Sequence, residues 1–193
     1  MSSQSKMLID SLLAESLKEL AKTRPIEKIT IKQITDKAGV IRPTFYNHFQ
    51  DKYELIEWIV KVELLKPIMD LVEEKKFKDA LVDVLGTMEE DKEFYMRSCQ
   101  LEGQNSFDSI MRLALRDMLM HFLNIKKLKD SVPYEWMSVT LLAEFYSESL
   151  AYLMITWIKS GMKIPKEEIA DGIIFVMSHS PISVVRNDFS EGK

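Results

Sequence analysis

The chain has 193 residues, 46% of them apolar and 29% charged, which excludes a disordered polymer and fits one domain or a small domain joined to a medium one. Six Gly and six Pro are few and favour long helices over a loop-rich β fold. No uncharged apolar run reaches the ~18 residues of a membrane span, the run before Asp10 is too brief for a signal peptide, and a lone cysteine, Cys99, excludes an intramolecular disulfide and fits a cytoplasmic protein.

In chain order, residues 6–22 set Leu8, Leu12, Leu13, Leu17, Leu20 and Ala21 on one 3.6-residue stripe. Thr23-Arg24-Pro25 ends this helix, because a residue preceding proline is driven out of the α region. Thr30 and Gln33 have the spacing of a capping box, and Ile29 with Ile34 that of a hydrophobic staple. The helix they open buries Ile31, Ile34 and Ala38 and ends at Gly39, where a left-handed cap is needed. Pro43 fits only the first turn of the next helix, and Asp51-x-x-Glu54 caps a third. Two short helices joined by a glycine-containing turn are the helix-turn-helix signature.

The residues Ala38-Gly39-Val40, Thr44-Phe45-Tyr46, Asn47-His48-Phe49 and Asp51-Lys52-Tyr53-Glu54-Leu55 resemble the TetR family of transcriptional regulators. The resemblance in detail covers the first quarter of the chain. It implies an all-α protein of about nine helices, with a three-helix DNA-binding head over residues 1–55. An effector-binding and dimerising bundle would occupy 56–185, and a tail 186–193. Charge divides accordingly: residues 1–55 hold nine Lys/Arg against seven Asp/Glu, so the head is basic and the body carries the acidic excess of a chain whose net charge is −4.

In a helix-turn-helix the second helix enters the major groove with its N-terminal residues at the base edges. Here that helix is about Arg42 to Phe49. Arg42 can take guanine bidentately, worth about 1–3 kcal/mol of discrimination, or hold a phosphate. Thr44 and Tyr46 match positions at which the family contacts DNA, Pro43 stands beside them, and Asn47 is available to adenine. The family's His, here His48, implies a phosphate contact, the alternative being a residue that only caps or packs between helices. Lys52 and Thr30, at helix N-termini, are expected on phosphates too, while Lys32 adds longer-range attraction. Phe45 and Phe49 belong to the core. The sequence departs from the family at Ile41, which cannot cap the recognition helix, at a cost of about 1 kcal/mol, and at Pro43, which replaces a small residue.

Beyond the head, a long helix from Asp51 runs through Pro67, where a kink near Leu65–Lys66 is expected. Residues 77–90 and 91–101 read as two helices, Asn105 or Ser106 as a cap, and 107–123 as an apolar helix with Lys126, Lys127 and Lys129 near its end. Pro133 and Glu135 mark the start of a helix over 134–159, apolar on nearly every face from Ser149 to Ile158 and therefore covered on both sides. Pro165-Lys166-Glu167-Glu168 opens the last helix, in which Gly172 permits close approach.

The family's body binds a small effector and dimerises. The concentration of Met and aromatic side chains suits an apolar pocket at Tyr95, Met96, Cys99, Met111, His121, Trp136, Phe145 and Tyr146, each of which fits an ordinary core position as well; Arg112, Arg116, Glu144 and Glu148 are polar candidates that salt bridges on a solvated face also explain. The apolar stripes of the last two helices suit a four-helix dimer interface at Leu150, Met154, Trp157, Ile169, Ile173, Val176 and Met177. Three scattered histidines, a single cysteine and no Gly-rich phosphate loop speak against a metal site, a cofactor or catalysis. Partners are then an operator duplex, a second copy of the chain and a small-molecule or protein effector, with no membrane. The competing reading is a ligand- or protein-binding adaptor whose head no longer binds DNA. The run Arg42-x-Thr44-Phe45-Tyr46 and the ending Trp157-Ile158 with Gly161 are similar to a branch known as dihydroxyacetone kinase regulators.

Overall fold

The computed structural model describes residues 3–125, 134 and 136–179. The described chain is wholly helical: α1 (Ser3–Ala21), α2 (Ile31–Ala38), α3 (Arg42–Tyr46), α4 (Lys52–Trp58), α5 (Met69–Glu73), α6 (Phe77–Glu90), α7 (Lys92–Ser98), α8 (Phe107–Ile125), α9 (Val139–Lys159) and α10 (Lys166–Ser178). If Lys52 to Glu73 is counted as one rod of varying winding, the described residues form nine helices.

Local chemistry sets the head. At α2, Thr30 Oγ1 accepts from the Gln33 N–H (3.3 Å) and Gln33 Oε1 accepts from the Thr30 N–H (3.0 Å), so two otherwise orphaned donors are satisfied reciprocally. The helix stops at Gly39, whose φ of +71° a residue with a Cβ adopts only under strain. Ile41 makes no side-chain cap, as expected of a hydrocarbon, and Pro43 sits in the first turn of α3. Asp51 Oδ1 accepts from the N–H groups of Tyr53 (2.8 Å) and Glu54 (2.9 Å), while Glu54 reaches back to the Gln50 N–H (2.5 Å). Phe45 and Phe49 are buried with Leu13, Leu17, Ile34 and Leu55, and the Phe49 ring meets Trp58 edge-on with centroids 6.2 Å apart.

The rod after α4 changes its winding instead of bending at one point. Ile59–Leu65 is a π-helix, and Lys66–Ile68 tightens to a 3-10 turn before α5. Pro67 has no N–H to give the carbonyl four residues back, and its ring crowds that carbonyl. Widening the preceding turns opens space, and the Lys66 N–H then bonds the Lys61 carbonyl, five residues back. The expected disturbance at Leu65–Lys66 is thus a seven-residue change of pitch.

In the body α8 packs along α9, and α10 lies on α6. Ser106 caps α8 by accepting from the Ser109 N–H (3.3 Å). α9 begins at Val139, not at residue 134: Ser138 accepts from the Leu141 N–H (3.0 Å), and this cap outcompetes a start at proline. α7 stops at Ser98 and not at Leu101, because the Gln100 and Leu101 N–H groups turn to the carbonyls three residues back. Gly172 has open space around it within the protomer. Lys126, Lys127, Lys129, Pro133, Glu135 and the 186–193 tail lie outside the described residues. The buried apolar side chains form one cluster running from α1 to α10.

Candidate DNA-binding surface and effector cavity

The exposed face of the head collects Thr30, Lys32, Arg42, Pro43, Tyr46 and Asn47, with Thr44 half-buried beside them. Arg42 Nη2 donates to the Tyr46 hydroxyl (3.1 Å), and its guanidinium lies 5.5 Å from the centre of the Tyr46 ring. The pair, one helical turn apart on α3, presents a planar fork already stiffened for bidentate contact. Lys32 is drawn to Asp36 on the same helix.

Two residues expected on phosphates have partners inside the head. The Lys52 ammonium donates to three backbone carbonyls, those of Ile26 (2.8 Å), Glu27 (2.8 Å) and Ile29 (2.9 Å), and so spends all three of its protons on the loop between α1 and α2. Burial draws its pKa below the ordinary lysine value. Lys52 is a clamp that shapes the entry to α2. Replacing it by Met is expected to cost about 1.5–3 kcal/mol, the worth of hydrogen bonds to a charged donor, as measured by urea unfolding. The second is His48, whose side chain is 3% exposed and shares a 2.6 Å hydrogen bond through Nδ1 with Asp10 of α1. It ties the turn that follows α3 to α1 and does not face outward. A residue absent from the expected DNA face is Lys28, exposed two residues before Thr30 and without an ion pair among the described residues; its position beside a helix N-terminus is the signal that marks it.

In the body, α6, α8, α9, α10 and the α5 rod border a cavity of about 400 Å³ that opens to the surface beside Phe77, 42% exposed. The rod gives Leu65, Ile68 and Val72, α6 gives Phe77, Ala80, Leu81 and Val84, and α8 gives Leu115, Met118, Leu119, Phe122 and Leu123. α9 contributes Tyr146, Leu150 and Met154, and α10 contributes Ile173, Ile174, Met177 and Ser178. Among the described residues no charged side chain lines it.

Of the eight residues expected around an effector, Tyr146 lies on this cavity. Tyr95 is fully buried, its ring packed edge-on against Phe94 (5.1 Å) and Phe107 (6.0 Å), and Met111 is core. Met96 and Cys99 are half-buried at α7 and its end, and His121 is exposed. Trp136 and Phe145 point away from the interior, 68% and 63% exposed. The polar candidates also lie outside: Arg112 pairs with Glu148 (3.1 Å) and Arg116 with Asp117 (3.3 Å). Burial pushes the Cys99 thiol up to about 12, so the thiol stays protonated. At pH 8 Cys99 should react with a disulfide reagent at least ~10-fold more slowly than free cysteine, whose pKa is about 8.5, and at the free rate in urea.

Four of the residues expected between protomers, Leu150, Met154, Ile173 and Met177, line the cavity inside one protomer. Trp157 is buried too, its Nε1 donating to the Ile164 carbonyl (2.8 Å), and Ile169 is half-buried. The physical reason is that α8 and α10 cover two faces of α9. What remains outside is Leu141, Phe145 and Tyr152 on α9 with Phe175 and Val176 on α10.

A head built as a helix-turn-helix on an all-α body with an apolar cavity defines a DNA-binding transcriptional regulator of one-component type. Residues 14–59 match the family described as bacterial regulatory proteins, tetR family, and residues 75–179 match that described as transcriptional regulator C-terminal region. The chain belongs to the TetR family, and it is a regulator and not an enzyme. It is 26% identical over 91 residues to the HTH-type dhaKLM operon transcriptional activator DhaS of Lactococcus lactis subsp. lactis (strain IL1403), covering 47% of this chain and about half (49%) of that relative. Among solved structures, the dihydroxyacetone kinase operon activator DhaS superposes with a TM-score of 0.63 at 19% identity, over 88% of this chain and 94% of the other. Thermus thermophilus FadR, a TetR-family repressor in complex with lauroyl-CoA, gives 0.60 at 12% identity, over 89% and 97%. At these identities the likeness is one of fold. Among the described residues no helix is long and apolar enough to cross a membrane.

Proposed function

We propose that the chain regulates transcription as a homodimer on a pseudo-palindromic operator, with residues 1–55 as the DNA-binding head and 56–185 as the effector-binding and dimerising body. Each α3 reads one major-groove half-site through Arg42, Thr44, Tyr46 and Asn47, and Thr30, Lys28 and Lys32 face the phosphates. The dimer forms through the exposed α9 and α10 face, on which Val176, Phe175, Phe145 and Tyr152 are the apolar contacts. The observation that carries this reading is the stiffened Arg42–Tyr46 pair on an outward helix whose other face is locked by the Phe45 core and the His48–Asp10 bond.

An effector in the cavity acts on the heads through the rod. The rod lines the cavity at Leu65 and Ile68, and in the same π-helix Glu63 pairs with Lys18 of α1 (3.1 Å), so a shift of one end is felt at the other. Half-sites on B-DNA lie roughly 34–36 Å apart, or a multiple of that, so a small rotation of the heads suffices to weaken binding. Sedimentation should find a dimer, and a mobility-shift titration on DNA from the chain's own promoter region should find salt-sensitive, sequence-selective binding. A monomer, or binding indifferent to sequence, would end this reading. The withdrawal of His48 and Lys52 from the DNA face favours the alternative adaptor, for which no duplex would be shifted at all.

A further inference from the structure

The cavity's lining is informative about what enters it. Among the described residues nineteen face it, and of these only Tyr146 and Ser178 carry a polar side-chain atom. The Ser178 hydroxyl is already bonded to the Ile174 carbonyl of its own helix (2.5 Å), which leaves the Tyr146 phenol as the hydrogen-bonding group not spoken for among the described residues. A carboxylate, phosphate or ammonium taken into such a site would lose hydration and meet no opposite charge among the described lining residues, a cost that ligands of these classes avoid elsewhere by finding a partner. The surrounding ions do not offer one: Lys78 is paired with Asp171 (2.6 Å), Lys166 with Glu89 (3.6 Å) and Arg112 with Glu148 (3.1 Å), each on the outer side of the helices. About 400 Å³, open to solvent beside Phe77, lies within the size range of small-molecule clefts, about 300–1,000 Å³. At ~30 Å³ for each water-sized group it has room for on the order of a dozen non-hydrogen atoms. Met118, Met154 and Met177, one on each of three enclosing helices, supply unbranched, adaptable walls that suit an occupant of variable shape.

We infer that the effector of this chain is an uncharged, mainly aliphatic small molecule of about a dozen non-hydrogen atoms, carrying at most one hydrogen-bonding group, which Tyr146 meets. This rests on the regulatory reading above for its meaning, while its chemistry rests on the lining alone. It excludes sugars, polyols, phosphorylated metabolites and amino acids as occupants of this cavity. It also makes a protein partner, if one exists, a matter for a different surface.

The test is isothermal titration of the intact chain with 1-hexanol, 1-octanol and 1-decanol, with decanoate at pH 8 as the charged analogue and glycerol as the polar one. Affinity should rise roughly fourfold for each methylene buried until the cavity is full. Decanol should bind at least ~10-fold more tightly than decanoate, since the charge finds no partner, and glycerol should not bind. Leu119→Trp, at a half-buried lining position, should fill the space and abolish decanol binding while the thermal melt stays cooperative. Ala80→Phe repeats this from the opposite wall should Leu119→Trp fail to fold. Tyr146→Phe should weaken decanol severalfold and flatten the preference for an alcohol over an alkyl chain of equal length. Decanoate binding as tightly as decanol, or alcohols binding equally to the filled variant, would overturn the inference. DNA binding measured on the same samples keeps the two readings apart. Decanol bound without effect on DNA would sink the regulatory reading and leave the ligand class standing; selective DNA binding with no alcohol bound would do the reverse.

Discussion

Replacing Lys18 by Met is expected to lower the stability of the whole chain by about 2–4 kcal/mol, the largest effect foreseen for a single side chain away from the hydrophobic core. Lys18 Nζ lies 2.9 Å from Asp91, 3.1 Å from Glu63 and 3.3 Å from Glu15, and its side chain is 11% exposed. Burial pulls its pKa down, but the hydrogen bond to Asp91 and the charge of Glu63 more than offset this and hold it above the ordinary lysine value. Removing the cation strands three carboxylates around one point, and that repulsion, more than the lost attraction, is what destabilises. The figure sits below the 3–5 kcal/mol of a fully buried pair because Glu63 and Asp91 keep about a quarter of their side-chain surface in water. For a chain of this size the melting temperature should fall roughly 5–15 °C. Because the folded pKa is raised, the contribution is fully present below the ordinary value of 10.5 and is lost only as pH rises through the higher folded one. The difference in melting temperature should therefore be flat from pH 7 to 9. The triple change Lys18→Met, Glu63→Gln, Asp91→Asn should recover most of the loss. A Lys18→Met variant that melts like the parent would mean that water already screens the cluster.

That cluster also marks where legibility in the sequence stops. Thr30 with Gln33, Gly39, and Asp51 with Glu54 could be placed from spacing alone, because each acts on backbone groups within four residues and chemistry at that range is local. The all-helical class and the disturbance near Pro67 followed for the same reason. Lys18, Glu63 and Asp91 could not be joined in this way, since nothing in any of the three segments announces a partner so far off along the chain. The same limit explains Lys52 and His48. Each is a polar residue at a position where the family touches DNA, and only the fold reveals a trio of carbonyls and an aspartate within reach. For the effector site, polarity is a misleading signal. Polar groups on apolar helices point equally to a pocket or to salt bridges on a solvated face, and Arg112 and Glu148 pair with each other on the surface. The cavity is marked by the absence of such groups, and by an α9 apolar enough to serve both an interior and an exterior.

The division of the head proposed above, into base readers, phosphate contacts and struts, should appear as three kinds of response on DNA. Thr44→Ala together with Tyr46→Ala should abolish discrimination between operator and scrambled duplex while leaving the dimer and its melt intact. The second substitution also frees Arg42 from the hydroxyl 3.1 Å away that holds its guanidinium in place. Arg42→Ala alone should cost about 1–3 kcal/mol on the cognate site and relax preference at one base pair, if the fork meets guanine. Lys28→Ala should weaken all sequences alike and reduce the slope of log affinity against log salt by about 1, the signature of one phosphate no longer neutralised. Lys52→Met should leave that slope unchanged, since its ammonium is held by Ile26, Glu27 and Ile29 and neutralises no phosphate. Its loss of affinity should instead track its loss of stability and vanish at low temperature or in a stabilising osmolyte. The salt slope is the deciding measurement, because a strut and a phosphate-binding lysine both support binding and only the lysine releases counterions. If Lys52→Met lowers the slope by about 1 with no change in the melt, the clamp opens on DNA and the lysine moves to a phosphate. If Lys28→Ala leaves the slope unchanged, the entry to α2 does not approach the backbone, and the footprint of the head is confined to α3.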